Sequence, residues 1–107
     1  MTYLVQPKKY AIFVLGAGGT GSWLCAFLDK MSLYNDVIVM DGDVVEAKNT
    51  LRQNFKHNHI NQNKAEVVAK EHSMSFVHGF ITSTDIFHQI MEEFSEGTIP
   101  LLIGCLY

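Results

Sequence analysis

Asp41, Arg52 and Lys64 are the side chains whose types and setting could do chemistry in this sequence. Asp41 opens D-G-D-V-V-E, Arg52 sits in N-T-L-R-Q (Asn49 to Gln53), and Lys64 sits in N-K-A. Upstream, L-G-A-G-G-T-G-S-W-L (Leu15 to Leu24) carries glycines at 16, 18, 19 and 21. A guanidinium offers a planar fork of donors, an ammonium a mobile point charge, and an ionised carboxylate only acceptors. With the free N–H groups of a glycine turn at a helix start, this set suits a ligand bearing both phosphates and hydroxyls. Arg or Lys beside a phosphoryl group stabilises the charge that builds as the group is attacked.

The glycines follow G-x-G-x-x-G spacing. Gly16 permits a tight turn out of a strand, Gly18 lets the backbone approach a phosphate, and Gly21 lets the following helix pack against the sheet. Asp41 lies twenty residues past Gly21, where a carboxylate can accept hydrogen bonds from ribose hydroxyls. Spacing alone leaves NAD and ATP both open. The next stretch favours ATP: a dehydrogenase has no need for Asn, Arg and Gln clustered just past the ribose carboxylate, whereas attack on an α-phosphate does.

These residues must be positioned by regular elements. YAIFVL (Tyr10 to Leu15) is an apolar, branched and aromatic run that predicts a buried strand. Trp23, Leu24, Phe27, Leu28 and Met31 recur at helical spacing, predicting an amphipathic helix over Thr20 to Met31 with Trp23 in its core-facing stripe. DVIVM (Asp36 to Met40) predicts a second strand. Asp41 to Asn63 is polar and irregular, too long for an idle connection, so it is functional or carries short helical turns. Asn63 is a predicted N-cap for a helix over Lys64 to His72. A third strand fits Ser75 to Phe80. Thr82, Ser83 and Thr84 offer N-caps for a helix whose face is Ile86, Phe87, Ile90, Met91 and Phe94, stopped by Gly97. Pro100 opens a fourth strand, LLIGCL. Near-continuous apolar strands alternating with helices predict an α/β fold, a Rossmann-like parallel sheet of about four strands in the order 3-2-1-4 with helices on both faces.

Composition narrows the function classes. The 107 residues suit a single domain, and 48 % hydrophobic content suits a packed core. A net charge of −3 gives no basic footprint for nucleic acid. No apolar run approaches the roughly 20 residues of a membrane span, and the N-terminal charge follows the apolar residues, against a signal peptide. A cytoplasmic location is expected. Cys25 and Cys105 lack C-x-x-C spacing and read as buried thiols. His57 and His59 form H-x-H without further ligands, so they read as solvated loop histidines. No metal-ligating residue is assigned.

The combination of G-x-G-G-x-G-S, D-x-D-x-V-x-x-x-N-x-x-R-Q-x-F and N-K-A resembles the adenylating domain of the ThiF/MoeB/HesA family, which includes ubiquitin-activating enzymes. GTGS and DGDVVE are most similar to ThiF-like proteins of bacterial mobile elements. The resemblance covers Ala11 to Glu71 and implies an N-terminal half of such a domain. It implies ATP and Mg²⁺ as cofactors, and adenylation of the C-terminal glycine of a ubiquitin-like or sulfur-carrier protein. It also implies roles by position. Gly16, Gly18, Gly19 and Gly21 form the loop near the phosphates. Asp41 holds the ribose. Asn49, Arg52 and Gln53 line the phosphates, and Lys64 reaches them. Arg52 and Lys64 are the residues expected to assist the chemistry.

The chain departs from the family pattern at its end, where Tyr107 stands in place of the aspartate that helps hold Mg²⁺. The carrier-protein groove and the arginine-bearing N-terminal helix have no counterpart in the sequence. The expected reading is therefore an ATP-binding domain that is incomplete or inactive alone. The alternatives are a non-catalytic nucleotide-binding partner protein, or an NAD-binding Rossmann fragment. An open edge beyond the fourth strand predicts self-association.

Overall fold

The computed structural model describes residues 10–31, 36–80 and 84–105. Four strands, β1 (Tyr10–Leu15), β2 (Asp36–Asp41), β3 (Ser75–His78) and β4 (Ile99–Gly104), form one parallel sheet in the order β3-β2-β1-β4. Helices α1 (Gly21–Lys30), α2 (Lys64–His72) and α3 (Thr84–Met91) connect them. The predicted strand order and Rossmann-like class are those observed. The expected N-caps Thr82 and Ser83, like Tyr107, lie outside the described residues.

Alternation along the strands separates two cores. Ile12, Val14, Val37 and Val39 face α1 and α2, meeting Cys25, Leu28, Ala65, Val67 and Val68. Ala11, Phe13, Ile38 and Met40 face the other way and are covered by Ile86, Phe87, Ile90, Met91 and Phe94. Both faces of β1 and β2 are thus apolar, which is why those strands read as unbroken hydrophobic runs. Phe13 and Met40 are essentially fully buried, each removal from water being worth roughly 1.5–3 kcal/mol.

Four elements differ from their sequence reading. β3 stops at His78 rather than Phe80, which leaves Phe80 beyond the strand. The buried side of α1 is Gly21, Ser22, Cys25 and Leu28, while Trp23, Phe27 and Met31 are exposed. Small residues at 21, 22 and 25 allow the helix to lie close on the sheet, and that close approach turns the bulky stripe outward. β4 is not buried: it forms the sheet edge, and Leu101 and Leu102, on opposite faces, are 44 % and 52 % exposed. α3 ends at Met91, before the expected Phe94 and Gly97. The chain continues in tighter turns, with Glu93 N–H donating to the Ile90 carbonyl and Phe94 N–H to that of Met91.

The long polar segment between β2 and α2 contains two 3₁₀ turns, Ala47–Leu51 and His57–His59. Asn63 caps α2 as predicted, its side chain accepting from the Glu66 N–H at 2.9 Å. His59 is not a solvated loop residue. Its Nδ1 accepts the Lys56 N–H (3.0 Å), Nε2 lies 3.3 Å from Glu71, and its ring meets Phe55 edge-on. It pins the second turn to α2.

Two glycines of the turn after β1 are required by the backbone itself. Gly16 has φ +105° where β1 turns, its N–H bonded to the Met40 carbonyl at 2.8 Å. At Gly21 any Cβ would collide with the Gly16 carbonyl, and backbone cannot step aside as a flexible side chain would. Gly21→Ala should therefore lower unfolding stability by about 2–3 kcal/mol, read by urea denaturation, while Gly19→Ala, with open space around it, should leave it unchanged.

Cys25 sits fully buried beneath α1, and Cys105 is buried at the end of β4. Burial, with Cys105 nearby, pushes the Cys25 thiol up to about 12. The folded thiol therefore stays protonated at pH values where the unfolded one ionises. Its contribution to stability is complete below about pH 9 and is lost as pH rises beyond that. In a Cys105→Ser background, a thiol reagent at pH 8 should leave Cys25 unlabelled in the folded chain and label it fully in denaturant.

Candidate functional site

Asp41, 4 % exposed at the end of β2, is tied to four segments. Oδ2 accepts the Ala17 N–H of the glycine turn at 2.7 Å, and Oδ1 accepts the Asp43 N–H at 2.8 Å. Its carbonyl accepts from Asn63 Nδ2 (2.9 Å) and from the Gly79 N–H beyond β3 (3.0 Å). The sequence reading gave Asp41 a ligand role only and missed this structural one. Each carboxylate oxygen retains a further lone pair, and the residue still lines a cavity.

The Arg52 segment is latched to α1 by two side chains that motif reading did not single out. Ser22 Oγ donates to the Gly18 carbonyl at 2.5 Å and accepts the Asn54 N–H at 3.1 Å. Trp23 Nε1 donates to the Arg52 carbonyl at 2.8 Å. Trp23, expected in the core, is instead half exposed and fixes the backbone that carries the guanidinium. Buried Phe55 and Val45 anchor the same stretch. Asn49 is buried, its Oδ1 accepting the Glu46 N–H at 2.8 Å.

Lys64 is the first residue of α2 and only 8 % exposed. Its N–H donates to the Asp43 carbonyl at 3.0 Å. Among the described residues it forms no ion pair. Glu66, two residues on, faces Lys70 (3.4 Å) and His78 (3.8 Å). A positive charge at the positive end of a helix dipole is electrostatically unfavourable.

Two adjoining cavities open at the carboxyl ends of the strands. The inner one, about 720 Å³, is lined by Gly18, Gly19, Thr20, Asp41, Asp43, Arg52, Gln53, Lys64, Phe80 and Cys105. The outer one, about 670 Å³, shares Asp43, Arg52, Gln53 and Lys64 and adds Val44, Glu46, Lys48 and Asn49. The structure thus brings together Gly18, Gly19, Asp41, Arg52, Gln53 and Lys64 around one space. Asn49 borders the outer cavity, while Gly16 and Gly21 shape the turn without lining either. Phe80 and Asp43 are lining residues that sequence reasoning left without a role.

The lining has room and donors for an anion. A Cβ on Gly18 would make only ordinary contact with Gln53, and one on Gly19 would meet nothing. Unlike Gly16 and Gly21, these two are not demanded by the protein's own packing; what their bareness preserves is space in the cavity. The Gln53 Oε1 position is buried without a hydrogen-bond partner. Lys48 is paired with Glu46 at 3.2 Å, leaving Arg52 and Lys64 as the lining cations without an ion pair among the described residues. No cluster of three metal-ligating side chains occurs among the described residues. None of their helices is long and apolar enough to cross a membrane.

Solved structures of similar fold include proteins in complex with nucleotides. Escherichia coli tRNA N6-threonylcarbamoyladenosine dehydratase, TcdA, superposes with a TM-score of 0.72 at 26 % identity, over 91 % of this chain and 41 % of that one. TcdA is known in complex with ATP, and with AMP at TM-score 0.67, 28 % identity and 78 % and 37 % coverage. E. coli MccB with ATP matches with a TM-score of 0.61 at 27 % identity, over 75 % of this chain and 26 % of that one. The chain thus spans less than half the length of either. No curated protein sequence is matched. The ThiF family model matches residues 5–86, most of the chain. With its parallel 3-2-1-4 sheet and its cavity at the strand ends, this protein belongs to the ThiF family.

Proposed function

We propose that this protein binds ATP in the inner cavity and serves as the nucleotide-binding part of an adenylating enzyme. The observation that carries this reading is Lys64, held at a helix N-terminus on the cavity wall with no ion pair among the described residues. A triphosphate would satisfy the ammonium, the helix dipole and the Gln53 amide together. Support comes also from the neighbours: TcdA is solved with ATP and AMP, and MccB with ATP.

In the proposed reaction a carboxylate oxygen attacks the α-phosphorus. An oxygen–phosphorus bond forms to that atom, its bond to the bridging oxygen breaks, and pyrophosphate leaves with an acyl-adenylate as product. The attacking group is already ionised at neutral pH, so no general base is needed. Arg52 and Lys64 would stabilise charge on the phosphoryl oxygens, and Asp41 would accept from the ribose hydroxyls. Gly18 and Gly19 would admit the phosphates close to backbone N–H groups, with Asn49 and Gln53 donating at the outer side.

Mg²⁺ is expected with the nucleotide. Asp43 fits it: its carboxylate lines both cavities and has no ion pair or hydrogen bond among the described residues. Magnesium is commonly held by one or two carboxylates plus phosphates. Bound there, it would neutralise phosphate charge.

The acceptor we propose is the C-terminal carboxylate of a ubiquitin-like or sulfur-carrier protein, in the cytoplasm, where ATP is available. MccB solved with AMPCPP and MccA is an example of nucleotide and polypeptide in one family member. These 107 residues are assigned the nucleotide part of the reaction rather than the whole. The exposed β4 edge, with Leu101 and Leu102 open, supports self-association. Light scattering should show species larger than a monomer at high concentration, and a strict monomer would contradict this.

Calorimetric titration should show ATP binding more tightly than NAD, with Arg52→Ala weakening ATP about tenfold. Lys64→Met should act with opposite signs on two measurements. ATP affinity should fall at least tenfold, while the ligand-free chain gains about 0.5 kcal/mol, because a positive charge at the positive end of the helix dipole is replaced by an apolar chain. Tighter binding of NAD, or a Lys64→Met chain that is less stable and still binds ATP, counts against the proposal.

A further inference from the structure

Gly42, the middle residue of D-G-D, has no positive φ, yet a Cβ there would meet the Phe80 ring at 2.6 Å. This glycine is explained by its neighbour's size and not by its own backbone. Phe80 is delivered to it by the sheet. His78 pairs with Asp41 in the parallel register, and the Gly79 N–H bonds to the Asp41 carbonyl at 3.0 Å. The next side chain along is the phenyl ring.

That ring is not part of the core. Phe80 is 40 % exposed and packs into neither hydrophobic cluster. It lines the inner cavity with Asp41 and Lys64, and among the described lining residues it is the single aromatic. A nucleoside triphosphate has three chemically distinct parts: a polyanion, a diol and a flat base. Arg52 and Lys64 answer the first and Asp41 the second. Phe80 is the lining group that offers a face to the third.

We propose that Phe80, seated against Gly42, is the surface on which the base of the bound nucleotide stacks, so that this ring makes the site prefer a nucleotide to a bare polyphosphate. The inference rests on the ATP-binding reading above and adds to it the residue that recognises the base. Stacking on an aromatic side chain is tolerant of base identity, so Phe80 would set preference for a base over none, rather than for one base over another.

The test is titration of the full chain with ATP and, separately, with inorganic tripolyphosphate. Wild-type chain should bind ATP the more tightly. Phe80→Leu keeps apolar bulk against Gly42 but removes the π face. It should weaken ATP about tenfold and tripolyphosphate less than twofold, and Phe80→Tyr should retain wild-type ATP affinity. Gly42→Ala, which displaces the ring while keeping it, should show the same selective loss as Phe80→Leu. Equal loss of both ligands in Phe80→Leu, or unchanged ATP affinity, overturns the stacking role. Equal wild-type affinity for ATP and tripolyphosphate overturns it too, while leaving the anion site standing. A wild-type chain that binds neither ligand removes the nucleotide reading itself.

Discussion

The buried carboxylate of Asp41 is the constraint on which this site depends. A carboxylate taken out of water costs several kcal/mol unless hydrogen bonds replace the lost hydration. Here the replacements are the N–H groups of Ala17 and Asp43. Because those donors belong to the glycine turn and to the D-G-D segment, satisfying the charge holds the two walls of the inner cavity at a set separation. The same residue's carbonyl draws in the α2 cap and the β3 exit, and with them Lys64 and Phe80. The cavity is a consequence of desolvating one ion properly.

Around that satisfied charge the structure leaves others unsatisfied. Lys64 is buried at a helix N-terminus, the Gln53 amide end has no partner, and Gly18 and Gly19 withhold side chains that the packing would tolerate. Each of these is a small cost to the ligand-free fold. Costs of this kind concentrate where binding repays them. The latches from Ser22 and Trp23 to the Arg52 segment limit the entropy lost on binding, since the backbone bearing the guanidinium is already held.

Much of the fold was legible in local pattern. Apolar runs on β1 and β2 and the Asn63 cap follow from periodicity and capping chemistry, which act over a few residues, and the 3-2-1-4 order follows from the alternation of strands and helices with right-handed crossovers. The site was legible in part. Motif spacing pointed to Gly18, Gly19, Asp41, Arg52, Gln53 and Lys64, which line one cavity. It did not separate Gly16 and Gly21, required by the backbone, from Gly18 and Gly19, which are not. Phe80 was beyond reach because its partner, Gly42, is 38 positions away in the sequence and the two meet only through strand register. Trp23 was misplaced for a related reason: helical spacing defines a stripe, and how closely the helix lies on the sheet decides whether that stripe is the buried one.

What the sequence determined by itself is the set of elements, their alternation and the residue types available for binding phosphate, because short-range sterics, capping and hydrophobic period are written in neighbouring residues. Which of those residues face a common cavity was decided by tertiary structure alone, as were the low exposure of Lys64, the exposure of Leu101 and Leu102 on β4 and the seating of Phe80 on Gly42. Each depends on contacts between segments far apart in the chain, and burial and desolvation exist only once those segments have come together.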